Sequence, residues 1–196
     1  MRPLFTLTAI ALIAAGPLLA EPAPTPAAAA APNAEQAKAL IQQFAGTLKG
    51  ELETAMKAGG PTSAIAVCNA RAPAIAAELS AKSGWKVARV SLKPRNAKTG
   101  QPDAWEQQVL TRFEERKAAG EAVDTLAFGA VVEGDGSKQF RFMKAIPTGE
   151  VCLACHGSAI SHEVAATLDR AYPGDRARGY AVGDIRGAFS LAKPID

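Results

Sequence analysis

Cys152-Leu153-Ala154-Cys155-His156 is the stretch of this chain whose residue types and spacing carry chemistry. In an exported protein, Cys-x-x-Cys-His reads as the covalent attachment site of a c-type haem. Two thiols at this spacing can add to the two vinyl groups of a porphyrin as thioethers. The next residue then presents its imidazole to the iron. On this reading Cys152 and Cys155 hold one haem c and His156 is the proximal metal ligand. The same letters fit a thioredoxin-like dithiol followed by a chance histidine, which would require a βαβ unit around it.

Few side chains could ligate the far face of the iron. His162 is the second of two histidines, but so soon after His156 it has little slack to cross the haem. A surface or capping role is expected for it. Met143, on a predicted strand, would give His/Met ligation, or else fills the core. Met56 lies near a helix end and is a weaker candidate; an open or water-filled position is a further alternative. Cys68 is what remains of three cysteines once two are thioethers. A lone thiol in an oxidising compartment invites oxidation, and metal coordination would account for it. A thiolate ligand favours ferric iron and a low potential. The alternative for Cys68 is a buried inert cysteine. Haem propionates are anionic and suit guanidinium partners, for which Arg89, Arg95 and Arg186 are candidates. Ion pairing to Asp184 or Glu106 is their other use.

The elements that must position these residues follow from pattern. Met1 to Ala20 reads as a secretory signal, with Arg2 before a short apolar run and Leu18-Leu19-Ala20 at the cleavage end. A periplasmic location is expected, with an uncleaved anchor as the alternative. Glu21 to Pro32 is nearly all Ala and Pro and reads as an extended linker. The folded domain is expected over 33–196. The net charge of +3 is unclustered and aromatics are 6% of the residues, so no nucleic-acid surface is expected.

Within the domain, Leu40, Ile41, Phe44, Leu48 and Leu52 give a helical stripe from Asn33 to Lys57, ended by Gly59-Gly60-Pro61. A second helical stretch runs from Pro61 to Lys82, kinked or split at Pro73, and carries Cys68 beside its apolar face. Trp85 to Leu92 alternates as a strand. Asp103 and Glu106 form a capping box for a helix bearing Val109, Leu110 and Phe113. Leu126 to Val132 and Lys138 to Ile146 read as a hairpin around Glu133-Gly134-Asp135-Gly136. A short turn carries the Cys-x-x-Cys-His residues and a helix follows from Ser161 to Arg170. The Gly-rich stretch from Tyr172 to Gly187 reads as loop, and Ala188 to Lys193 as a last strand. The sum is an α+β domain with about four antiparallel strands.

Several stretches together carry a family likeness. They are Ala66-Val67-Cys68 with Ala72-Pro73-Ala74-Ile75-Ala76, Gly84-Trp85-Lys86-Val87 leading into Arg89 to Asn96, Pro102-Asp103-Ala104-Trp105-Glu106, Cys152 to Gly157, Tyr172-Pro173-Gly174-Asp175 with Ala177 and Gly179-Tyr180, and Gly183 to Ala188. The chain resembles the family of c-type-haem domains with a PAS-like fold, found in bacterial exported proteins and as the sensory part of some signalling proteins. It departs from that pattern after Asn96, where Ala97-Lys98-Thr99-Gly100-Gln101 replaces a Pro-Asn-rich run. The resemblance implies a central antiparallel sheet with flanking helices, one covalently attached haem, and axial ligation by histidine and cysteine. Carried over by residue, His156 is the proximal ligand and Cys68 the distal one.

The function expected is a redox or small-ligand sensing module, binding CO or NO in the reduced state and acting through a partner protein. The alternative is a periplasmic electron-transfer cytochrome. An enzymatic role is disfavoured, because a peroxidase needs an open distal position with acid–base groups, and Cys68 would close it.

Overall fold

The computed structural model describes residues 30–134 and 137–195. The signal, most of the linker, and Asp135 and Gly136 of the hairpin turn lie outside the described residues.

The first helix, α1 (Ala30–Ala66), starts inside the Ala/Pro tract, three residues before the expected cap at Asn33. Pro32 is tolerated there because first-turn amides have no helical acceptor. The expected break is present: Gly59 and Gly60 leave helical geometry, with Gly60 at φ 67°. Pro61 then restarts the helix at a position that suits its fixed φ.

A π turn over Val67–Arg71 joins α1 to α2 (Ala72–Ser83). Pro73 explains this local widening, since its ring cannot donate a backbone N–H and crowds the carbonyl four residues back. Arg71 ties the turn to α1 through two hydrogen bonds to Glu51, at 2.8 and 2.9 Å. Gly84, in the left-handed region, closes α2 with its amide on the Ser80 carbonyl.

β1 (Lys86–Val90) follows, then α3 (Ala104–Ala118) behind the predicted capping box. Asp103 accepts from the Glu106 amide at 2.9 Å and Glu106 accepts from the Asp103 amide at 2.8 Å. β2 (Ala127–Gly134) and β3 (Ser137–Pro147) form the hairpin. A one-turn helix α4 (Leu153–His156) and α5 (His162–Ala171), capped by Ser161, lead to β4 (Ile185–Ile195).

The four strands make one antiparallel sheet in the order β1-β4-β3-β2. β4 begins three residues earlier than its apolar run suggests and sits in the middle, paired to β1 and β3. Alternation sorts side chains between the two faces. Phe140, Phe142, Phe189 and Leu191 pack under α1 and α2 with Phe44, Leu48, Ile75 and Leu79. Met143, Ala145 and Ala188 face α3 with Val109, Leu110 and Phe113. Helices therefore cover both faces of a four-stranded sheet, an α+β domain. Among the described residues no helix is long and apolar enough to cross a membrane.

Candidate functional site

A cavity of about 510 Å³ opens between the π turn, α2, β1 and the Cys-x-x-Cys-His helix. Its volume is in the usual range for a bound small molecule or cofactor, about 300–1,000 Å³. All seven residues singled out as site candidates line it: Cys68, Arg89, Arg95, Cys152, Cys155, His156 and Arg186. They come from five parts of the chain. Phe44, Leu48 and Leu52 of α1, Ile65, and Ala72 and Ala76 of α2 supply an apolar wall.

The other candidates separate. Met143 is fully buried among Val109, Leu110 and Phe113, on the face of the sheet turned away from the cavity. It cannot reach a group held there, which removes Met143 from the His/Met alternative. Met56 lines the cavity. His162 is exposed at the start of α5 and is not part of the lining.

His156 is held in a defined state. Its Nδ1 lies 2.8 Å from the Ala177 carbonyl oxygen. A carbonyl only accepts, so Nδ1 carries the proton and Nε2 is the unprotonated nitrogen. That is the arrangement a metal-ligating imidazole needs. Burial first, then the Arg186 and Arg95 charges, push its pKa down to about 3, so the ring is neutral. The Arg186 Nε is 3.1 Å from Nδ1 and 3.3 Å from Nε2. Since Nδ1 is already a donor, this approach to both nitrogens places the guanidinium against the ring face. Burial lowers the Arg186 pKa to about 10, which leaves it charged at neutral pH. Tyr180 stands edge-on to the imidazole, with centroids 6.2 Å apart.

The three arginines are not equivalent. Arg95, 9% exposed, pairs with Asp175 at 3.2 Å and donates to the Cys155 and Ala177 carbonyls. Its Nε and one terminal nitrogen are thus committed to the protein. Arg186 is engaged with His156 and Ser91. Arg89 stacks on Phe44 at 5.3 Å and makes no hydrogen bond among the described residues. A desolvated cation on a cavity wall, without an acceptor, favours an anionic ligand.

The thiols are free of one another, with no disulfide among them. Burial raises the Cys68 pKa, opposed by Arg89, Arg95 and Arg186. Burial likewise raises that of Cys155, opposed first by Arg95. A redox dithiol needs a depressed thiol pKa. The strands of the sheet all pair antiparallel, so no βαβ unit surrounds Cys155 among the described residues, as the dithiol alternative requires. No three His, Cys, Asp or Glu side chains among the described residues converge on a bare-ion site.

The pattern of types and spacing did not point to the segment over the histidine. Residues 172–184 fold back on α4: the Gly179 amide reaches the Gly157 carbonyl at 3.0 Å, and the Tyr180 amide the His156 carbonyl at 2.9 Å. Asp175 and the Ala177 carbonyl are therefore site components. Tyr172 to Asp175, Ala177 and Gly179-Tyr180 were the signals in this segment, through the family resemblance, and they carry no information on what the segment covers.

A model of the Tll0287-like family matches residues 27–194. Among solved structures, the chain is similar to the crystal structure of the cyanobacterial heme-protein Tll0287. The two share 29% identity with a TM-score of 0.64, covering 84% of this chain and 96% of that one. Among curated proteins none matches.

Proposed function

This chain belongs to the Tll0287-like family, and on that premise we propose that it is an exported c-type haem protein that senses redox state or a small ligand. One haem would be attached through Cys152 and Cys155, with His156 and Cys68 as axial ligands in a PAS-like domain. The observation that carries this reading is the convergence of the Cys-x-x-Cys-His residues, Cys68 and the unpaired Arg89 on one cavity.

The residues present fit such a group. The apolar wall suits a macrocycle. His156 offers Nε2 with its tautomer set by Ala177. Arg89 lacks an acceptor and suits a propionate. When bound, haem would supply a one-electron couple and, once an axial position opens, a site for CO or NO. The chain's own part is to seat the group, exclude water and hold or release the Cys68 sulfur. Cys68 lies in the π turn. Such turns are rare and recur at functional sites. A return to ordinary α geometry would rotate Cys68 about the helix axis, a movement a partner protein could read.

Electron transfer is the second reading. Val151, 62% exposed, lines the cavity next to Cys152, and would give a redox partner access to the edge of the group.

The test is the protein purified after export with its haem-attachment machinery. Wild type and Cys68→Ala are compared by pyridine haemochrome assay, optical spectroscopy and EPR. Covalent haem with thiolate features that vanish in Cys68→Ala is the expected result. A colourless wild type, or an unchanged iron signature without Cys68, refutes the proposal. A spectrum that stays six-coordinate through reduction and CO addition at every pH excludes the sensing switch and leaves electron transfer.

A further inference from the structure

Arg95 occupies an unusual position for a cavity arginine. One of its terminal nitrogens serves two backbone oxygens at once, those of Cys155 and Ala177. Its Nε is held by Asp175, whose side chain is 2% exposed. Asp175 in turn accepts from the Ala177 amide at 2.8 Å and from Arg178 Nε at 2.9 Å. Burial opposes ionisation of Asp175, but these donors outweigh it and hold its carboxyl below the usual range. The Ala177 oxygen is thus shared: Arg95 donates to it at 3.0 Å and His156 Nδ1 at 2.8 Å.

We infer that Arg95 is a positioning residue for the axial imidazole, acting through the Ala177 carbonyl rather than through a propionate. This rests on the haem reading above. Two effects follow. By gripping Cys155 and Ala177 together, Arg95 fixes the His156 ring relative to the thioether-bearing turn. By donating to the Ala177 oxygen, it makes that oxygen a poorer acceptor for the Nδ1 proton. The imidazole then keeps less negative character and donates less to the iron. Removing Arg95 strengthens the Nδ1–H···O bond and deletes a buried positive charge. Both changes favour the ferric state.

The experiment compares haem-loaded wild type, Arg95→Gln and Arg95→Lys by spectroelectrochemical titration and ferric EPR. At a fixed applied potential, Arg95→Gln lowers the ferrous-to-ferric ratio about tenfold, which is 59 mV for a one-electron couple. Its EPR g-values move as the ring loses its fixed orientation. Arg95→Lys keeps the charge, but its single ammonium cannot replace both the terminal nitrogen on the two carbonyls and the Nε on Asp175, so it fails to restore the wild-type potential and g-values. Full restoration by Lys overturns the inference, because charge alone then suffices, as it would for a propionate partner. No change in Arg95→Gln overturns it as well. If Arg95→Gln accumulates too little holoprotein, the Lys variant decides by the same criteria. A haem-free wild type would sink the haem reading and this inference with it. Haem-loaded variants that do not respond sink this inference alone.

Discussion

Met143 gives the sharpest separation between packing and ligation. It is 0% exposed, on the α3 side of β3, against Val109, Leu110, Phe113 and Leu126. Met143→Ala removes three heavy-atom groups from that cluster. At about 0.8 kcal/mol per buried methylene-sized group the transfer term is about 2.4 kcal/mol. A residual cavity adds to it, for a total of roughly 3–4 kcal/mol. In a domain of this size that lowers the thermal midpoint by roughly 6–16 °C. Met143→Leu conserves volume and costs less than about 1.5 kcal/mol. Neither substitution should alter the iron's optical or EPR signature, because the sheet lies between Met143 and the cavity. Thermal unfolding followed by circular dichroism, with spectra of the same samples, measures both effects. A stable Met143→Leu protein whose iron becomes high-spin would refute the assignment of faces.

Glu106 joins the α3 cap to the sheet, accepting from Ser190 Oγ at 2.6 Å and lying 3.2 Å from Arg141. Glu106→Ala loses half the capping box and strands the buried Ser190 hydroxyl, costing roughly 2–4 kcal/mol in denaturant unfolding. Glu106→Gln keeps most of the bonds and should cost no more than half as much; equal losses would disprove the network. At Gly187 an added Cβ would stand 2.4 Å from the Val90 carbonyl oxygen, so Gly187→Ala must spread β1 from β4 beside the cavity. A destabilisation of about 1–3 kcal/mol is expected, and an unaffected melting curve would contradict that close approach. Burial alone would raise the Asp103 carboxyl, but Arg141 and the Glu106 amide more than offset it and hold its pKa below 3.8. Its contribution is therefore present above that value and lost as pH falls through the folded pKa. Asp103→Asn, which still caps, should flatten the fall in stability below about pH 4; wild-type pH dependence in this variant would rule out the assignment.

What the chain's letters determined was local. The capping box, the glycine break before Pro61, the hairpin and the Cys-x-x-Cys-His turn each depend on residues a few positions apart, and backbone chemistry acts at that range. The α+β class and the two faces of β3 were also legible, because alternation along a strand needs no partner. Tertiary structure decided the rest. The apolar run of β4 marks a strand but cannot say that it lies at the centre of the sheet, since strand order is set by which faces bury each other. Pattern alone left Met143 and Cys68 both open as ligands; only the placement of helices on opposite faces put one in the core and the other in the cavity wall. For Arg95 the sequence left a propionate and an ion pair to Asp184 or Glu106 both open, because its partners, Asp175 and the Ala177 carbonyl, lie about eighty residues away. A side chain's charge is written in the sequence, but what neutralises it depends on which distant backbone the fold brings within hydrogen-bond reach.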